Sequence, residues 1–174
     1  MGRDKALLSF QGCRLVQFVA AQAREAVDQV TLVGEISRYA NLGYPVIEDI
    51  LPGRGPLSGV HAALTKTDAE WNLILACDMP QVGRTFLEQL MTRAEASPAS
   101  AVIPVGPDDR PQPLCAVYHR RCGSEIAQAL ERRVHKVTEA LAALEIDFWP
   151  VPHADNFHNV NTPEDWDPYS HAAR

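Results

Sequence analysis

The sequence lacks the stretches that would take it to a membrane or to nucleic acid. No apolar run reaches the roughly 20 residues that cross a bilayer. No basic-then-apolar leader is visible, and the cytoplasm is the expected compartment. Lysine and arginine form no run; with 16 basic against 22 acidic residues the formal charge is −6, which argues against general nucleic-acid binding. A small polyanion held by a few local cations and a metal stays open. Cysteine is sparse and scattered: Cys13, Cys77, Cys115 and Cys122 form no C-x-x-C pair, and Cys77 and Cys115 sit inside apolar runs as small hydrophobes. The six histidines have no ligand spacing, so no zinc site is expected. Repeats, low-complexity segments and linkers are also missing. The 174 residues, 46% hydrophobic and 22% charged, predict a single domain with a radius of gyration of about 16 Å.

What the chain does have is an apolar run that stops at a carboxylate, Trp71-Asn72-Leu73-Ile74-Leu75-Ala76-Cys77-Asp78-Met79-Pro80. Asn72 to Cys77 shows no polar/apolar alternation after its first residue, which suits a strand covered on both faces. Asp78 then falls at the carboxyl end of that strand, the edge where open α/β sheets bind ligands, and a carboxylate there can hold a hard cation such as Mg²⁺. The plainer alternative is a cap on the turn or on the helix that starts near Val82.

Around this strand the pattern alternates. Leu15, Phe18, Val19, Gln22, Ala23 and Ala26 predict an amphipathic helix over Arg14 to Val27. Strands are expected at Gln29–Val33 and Tyr44–Glu48, with a helical fragment between them at Glu35–Ala40. Asp49 to Gly59 reads as a shaped loop leading into a helix through Pro56. A helix Arg84–Ala94, strands Ala101–Val105 and Leu114–Tyr118, helices Gly123–Arg133 and Lys136–Leu144, and a strand Asp147–Val151 follow. This is the grammar of a mostly parallel α/β sheet with crossover helices. Thr162, Pro163 and Asp165 form a helix start, which puts Asn159 and Asn161 on the loop before it.

Five segments carry a resemblance: Met1-Gly2-Arg3-Asp4-Lys5, Gly55-Pro56-Leu57-Ser58-Gly59, Cys77-Asp78-Met79-Pro80, Pro113-Leu114-Cys115-Ala116-Val117 and Asn159-Val160-Asn161-Thr162-Pro163-Glu164. In this order they resemble the molybdenum cofactor guanylyltransferases, and the likeness spans nearly the whole chain. It implies a Rossmann-like, three-layer nucleotidyltransferase fold, mostly parallel in its central sheet, with helices on both faces. It also implies transfer of GMP from GTP to molybdopterin with loss of pyrophosphate, aided by Mg²⁺. Other cofactor-biosynthesis proteins and acceptor molybdoenzymes are the further partners it suggests. One departure stands out. The family pattern opens with a strand and a Leu-Ala-Gly-Gly loop before Met-Gly-x-Asp-Lys, whereas this sequence starts at the methionine. The expectation is that the native protein extends upstream or that this chain is weakened for nucleotide binding. Without that strand, two strand edges and an apolar slot should be exposed, and phosphate-cradling N–H groups lost.

The resemblance assigns roles residue by residue, and each has a plain alternative. Asp78 is the metal ligand. Lys5 balances charge on the triphosphate or the leaving pyrophosphate, or is a solvated terminal lysine. Gly55, Pro56, Leu57 and Gly59 form a GTP-binding segment where a planar base can lie against bare backbone, or a simple turn. Asp49 can accept from the N1–H and N2–H₂ edge of guanine or from ribose, or cap its own loop. Asn159 and Asn161 belong to the molybdopterin and metal end, or are turn asparagines. Arg132 and Arg133 lie near the pterin phosphate in the family pattern, one of them being a surface charge. Two other functions fit the same segments: a cytidylyltransferase acting on molybdopterin, and a non-catalytic binding protein that has lost its phosphate loop.

Overall fold

The computed structural model describes residues 4–51, 53–134, 136–152, 157–160 and 165. It begins with a 3-10 turn, Lys5–Leu7, and a hairpin of β1 (Ser9–Phe10) and β2 (Cys13–Arg14), none of which the sequence pattern announced. Gln11 and Gly12 turn the hairpin with φ of 45° and 84°. Helix α1 (Leu15–Arg24) buries Leu15, Val19 and Ala23 of the expected stripe together with Ala20, leaves Phe18 and Gln22 less covered, and ends short of Val27. Then come β3 (Leu32–Val33), α2 (Ile36–Tyr39) and β4 (Val46–Ile47), each shorter than its predicted segment. The Asp49–Gly59 loop is also shorter than expected. Helix α3 (Pro56–Lys66) takes Pro56 as its first residue and carries Leu57, Ser58 and Gly59 in its opening turn.

Strand β5 (Trp71–Leu75) leads through a turn to α4 (Arg84–Ala96), followed by β6 (Ala101–Val105) and β7 (Cys115–His119). Helix α5 (Cys122–Glu131), α6 (Val137–Ala140) and β8 (Ile146–Pro150) close the described core. The predicted helix Lys136–Leu144 is α6 followed by a 3-10 turn, Leu141–Ala143. The helix start at Thr162 and Pro163 lies outside the described residues.

The main sheet has the order β5-β7-β6-β8. Strands β5, β6 and β8 run one way, but β7 lies antiparallel between β5 and β6, so the sheet is mixed. The reason is chain length: the connection 106–114 is shorter than the dozen or so residues a parallel crossover needs. Alternation along β6 and β7 serves two cores. Val102, Cys115 and Val117 meet Phe86, Leu87 and Leu90 of α4 on one face. Ala101, Ile103, Ala116 and Tyr118 meet α3, α5 and α6 on the other. Helices therefore cover both faces, the three-layer α/β arrangement the sequence predicted.

Strands β3 and β4 pair in parallel as a separate ribbon. Between Leu32 on β3 and Leu73, Leu75 and Cys77 lies a cavity of about 130 Å³, walled by Val19, Ala20 and Ala23 of α1. Leu73 and Leu75 face this cavity, and both are only half-buried rather than fully covered.

Candidate active site

The site gathers at the carboxyl edge of β5, β6 and β8. The strand ends at Leu75, two residues earlier than expected, and Asp78 sits in the turn beyond it. The backbone carbonyl of Asp78 accepts the N–H of Val160 at 2.9 Å, which brings Asn159 to this edge from the far end of the chain. An aromatic cluster holds the approach: Phe86 stacks on Trp149 with centroids 5.5 Å apart, and Phe157 meets Phe86 edge-on at 5.6 Å. Asn161 lies outside the described residues.

The Asn159 side-chain oxygen is buried and has no hydrogen-bond partner among the described residues. A buried orphan acceptor is costly unless a donor or a cation reaches it. Beside the Asp78 turn, it suits a hard divalent cation or water on one, because both residues offer oxygen ligands. No cluster of three or more His, Cys, Asp or Glu side chains occurs among the described residues, so a metal there would lean on few protein ligands and on substrate phosphates.

Lys5 and Asp4 reach the same place from the N-terminal turn. The Cys77 thiol is pushed up to about 11 by burial, then by the Asp78 and Asp4 carboxylates, with Lys5 opposing. Asp4, Lys5, Cys77 and Asp78 therefore share one electrostatic neighbourhood. A thiol at about 11 is about one part in a thousand thiolate at pH 8, so iodoacetamide should label Cys77 slowly there and faster as pH rises toward 11. Peptide mass spectrometry of timed samples at both pH values checks this. Equal labelling rates would mean that the thiol is already ionised at pH 8 and is not pushed up by burial and the nearby carboxylates.

A second cluster surrounds Asp49. Its Oδ1 accepts the Leu51 N–H at 3.0 Å and the Ser58 hydroxyl, and Ser58 also reaches the Leu51 carbonyl at 2.9 Å. Oδ1 thus holds the loop, as the capping alternative foresaw, and Oδ2 is the oxygen left to a ligand. Gly55 stands before α3 at φ 73°, a left-handed conformation that a side chain would strain. A Cβ on Gly59 would meet only Val33 Cγ1, at 3.9 Å, so packing alone does not demand glycine there. Val33, Ile50 and Leu51 are exposed apolar residues on this part of the fold.

Arg132 and Arg133 follow α5. That helix starts where β7 ends, and its ten residues, about 15 Å long, return them toward the Asp78 edge on the α3 side of the sheet. Both are exposed, Arg133 has φ 62°, and neither is paired with a carboxylate among the described residues.

Sequence reasoning passed over Asp4, Tyr39 and Ser58. Tyr39 donates to Asp4 Oδ2 at 2.7 Å across 35 residues of sequence, and burial followed by this hydrogen bond raises its phenol pKa. Asp4 and Ser58 had a local signal, their places in the first and second motifs, whereas Tyr39 had none.

Comparison with known proteins bears on the family and the fold. Residues 1–145 match the family model described as the MobA-like NTP transferase domain. A protein of Nostoc sp. named "Probable molybdenum cofactor guanylyltransferase" is 31% identical over 95% of this chain and 82% of its own length. The crystal structure of molybdopterin-guanine dinucleotide biosynthesis protein A from Archaeoglobus fulgidus superposes with a TM-score of 0.82. It is 26% identical, over 97% of this chain and 89% of that one. A manganese complex of Rv0371c from Mycobacterium tuberculosis, 19% identical over 97% of this chain and 92% of that one, has a TM-score of 0.65 and shows the fold alone. With most of its length matched by the family model and a relative above 30% identity, the chain belongs to the MobA-like NTP transferase family.

Proposed function

We propose that this chain transfers GMP from GTP to molybdopterin. A phosphate oxygen of the pterin attacks the α-phosphorus, the bond to the β-phosphate bridging oxygen breaks, and pyrophosphate leaves. The observation that carries the reading is the convergence of Asp4, Lys5, Cys77, Asp78 and Asn159 at one sheet edge in a chain of this family.

No covalent intermediate with the protein is needed; the work is positioning and charge compensation. Asp78 and Asn159, with Asn161, are the residues that would hold Mg²⁺, which when bound neutralises phosphate charge and aligns the two reacting groups. Lys5 places an ammonium against the triphosphate and the leaving pyrophosphate. Asp49 Oδ2 accepts from the N1–H and N2–H₂ edge of guanine, while Gly55, Pro56, Leu57 and Gly59 let the base approach backbone. Val33 and Leu51 supply apolar surface for its face. Asn159, Asn161 and one of Arg132 and Arg133 bind the molybdopterin phosphate.

The test incubates the protein with molybdopterin, Mg²⁺ and either GTP or CTP, and follows products by mass spectrometry. The guanine dinucleotide and pyrophosphate are expected from GTP, with little product from CTP. Equal use of CTP would make the chain a cytidylyltransferase. Ligand binding without product would make it a binding protein.

A further inference from the structure

The turn that presents Lys5 is held from outside by one side chain. Asp4 caps it, with Oδ1 accepting the Ala6 N–H at 3.1 Å. Oδ2 accepts the Tyr39 phenol at 2.7 Å and lies 3.6 Å from Arg38 Nη1. Both oxygens of the residue immediately before Lys5 are thereby committed, one to its own turn and one to Tyr39. The Arg38 pair is long, and its guanidinium is 55% exposed, so the phenol is the stronger of the two outside restraints.

Tyr39 is itself positioned by what lies under it. A Cβ built on Gly34 would overlap the Tyr39 ring, so the bare backbone of Gly34 leaves the ring its place. Gly34 donates its N–H to the Ile47 carbonyl at 2.9 Å, continuing the pairing of β3 and β4. The ring thus rests on the ribbon whose second strand runs directly into Asp49. Through its phenol, the same residue reaches the turn that carries Lys5. Among the described residues, Tyr39 makes the shortest side-chain link between the base-reading half of the proposed site and its phosphate half.

We propose that Tyr39 is a positioning residue for Lys5: by holding Asp4 it sets the turn from which the ammonium meets the triphosphate. This rests on the role given to Lys5 in the proposed reaction. A lysine has a long flexible stem, so where its backbone is anchored decides how often the ammonium is in place as charge builds on the leaving pyrophosphate.

The test is a double-mutant cycle on the full chain with Tyr39→Phe, Lys5→Met and the pair, read as kcat and KM for GTP together with thermal melts. Tyr39→Phe should lower kcat about tenfold with a smaller change in KM, since a misplaced group costs the transition state more than the ground state. In the Lys5→Met background it should cost nothing further, because the two act as one unit. A purely structural tyrosine would instead lower the melting temperature and lose activity by the same factor in both backgrounds. Should Tyr39→Phe unfold the chain, Asp4→Asn probes the same link, keeping an oxygen for Ala6 while weakening the acceptor for the phenol; the same loss and the same non-additivity are expected. No loss in either single variant at Tyr39 or Asp4, or a fully additive pair, would overturn the inference alone. Lys5→Met with unchanged turnover would overturn the role of Lys5 and this inference together.

Discussion

Replacing Asp78 with alanine should lower guanylyl transfer by about 10³-fold or more while leaving the fold nearly as stable. The two halves of this expectation have different causes. Asp78 sits in a turn past the end of β5, with its backbone carbonyl, not its carboxylate, tying it to Val160. Removing the carboxylate therefore breaks no hydrogen bond among the described residues, and a substitution of this kind costs about 0.5 kcal/mol or less, about 2 °C in a domain of this size. Chemistry suffers far more. The triphosphate and the attacking phosphate bring several negative charges to one place, and the proposed cation that offsets them would lose its charged protein ligand. The Asn159 oxygen alone is neutral and cannot replace that charge. Asp78→Asn should fall almost as far, since it keeps the shape and removes the charge. Product formation by mass spectrometry and a thermal melt of each variant decide the matter. Turnover within tenfold of the unmodified chain would leave Asp78 as a turn residue only.

Asp49→Asn should reduce kcat/KM for GTP by about 10²-fold and abolish the preference for GTP over ITP, which lacks the 2-amino group. This substitution is chosen because the two carboxylate oxygens have different tasks. Oδ1 accepts from Leu51 N–H and from the buried Ser58 hydroxyl, and an asparagine oxygen can take over both bonds, so the loop keeps its shape. The amide nitrogen is then left facing the ligand. A nitrogen with two hydrogens meets the N1–H and N2–H₂ donors of guanine as donor against donor, and an unpaired polar group in a closed site is costly. Alanine would be the poorer probe, because it also releases Leu51 and Ser58. Paired kinetics with GTP and ITP, before and after the change, separate recognition from folding. If the variant still prefers GTP over ITP as strongly as the unmodified chain, Asp49 does not face the base.

How much of this was legible in the residue pattern depends on the distance over which each feature is encoded. The apolar stripe of α1, the run entering Asp78, the Pro56 start of α3 and the strand at Ala101–Val105 could all be read from neighbours a few residues apart. Local periodicity suffices for such elements, since burial of one face already dictates the spacing. The motif that contains Lys5 and the position of Asp78 were legible for the same reason.

The sequence by itself determined the α/β class, the helices flanking the sheet and the candidate residues on which the proposed chemistry rests. Only the tertiary structure decided that β7 runs back between β5 and β6, that β3 and β4 stand as a separate ribbon across a cavity, and that Tyr39 grips Asp4. It also decided that Ser58 occupies Asp49 Oδ1 and that Val160 brings Asn159 to Asp78. These contacts join segments far apart in the chain. Closing a long loop costs only logarithmically more than closing a short one, so chain separation hardly discriminates among partners and leaves no periodic trace. Which partner is chosen follows from how the layers pack, and that information is spread over the whole core.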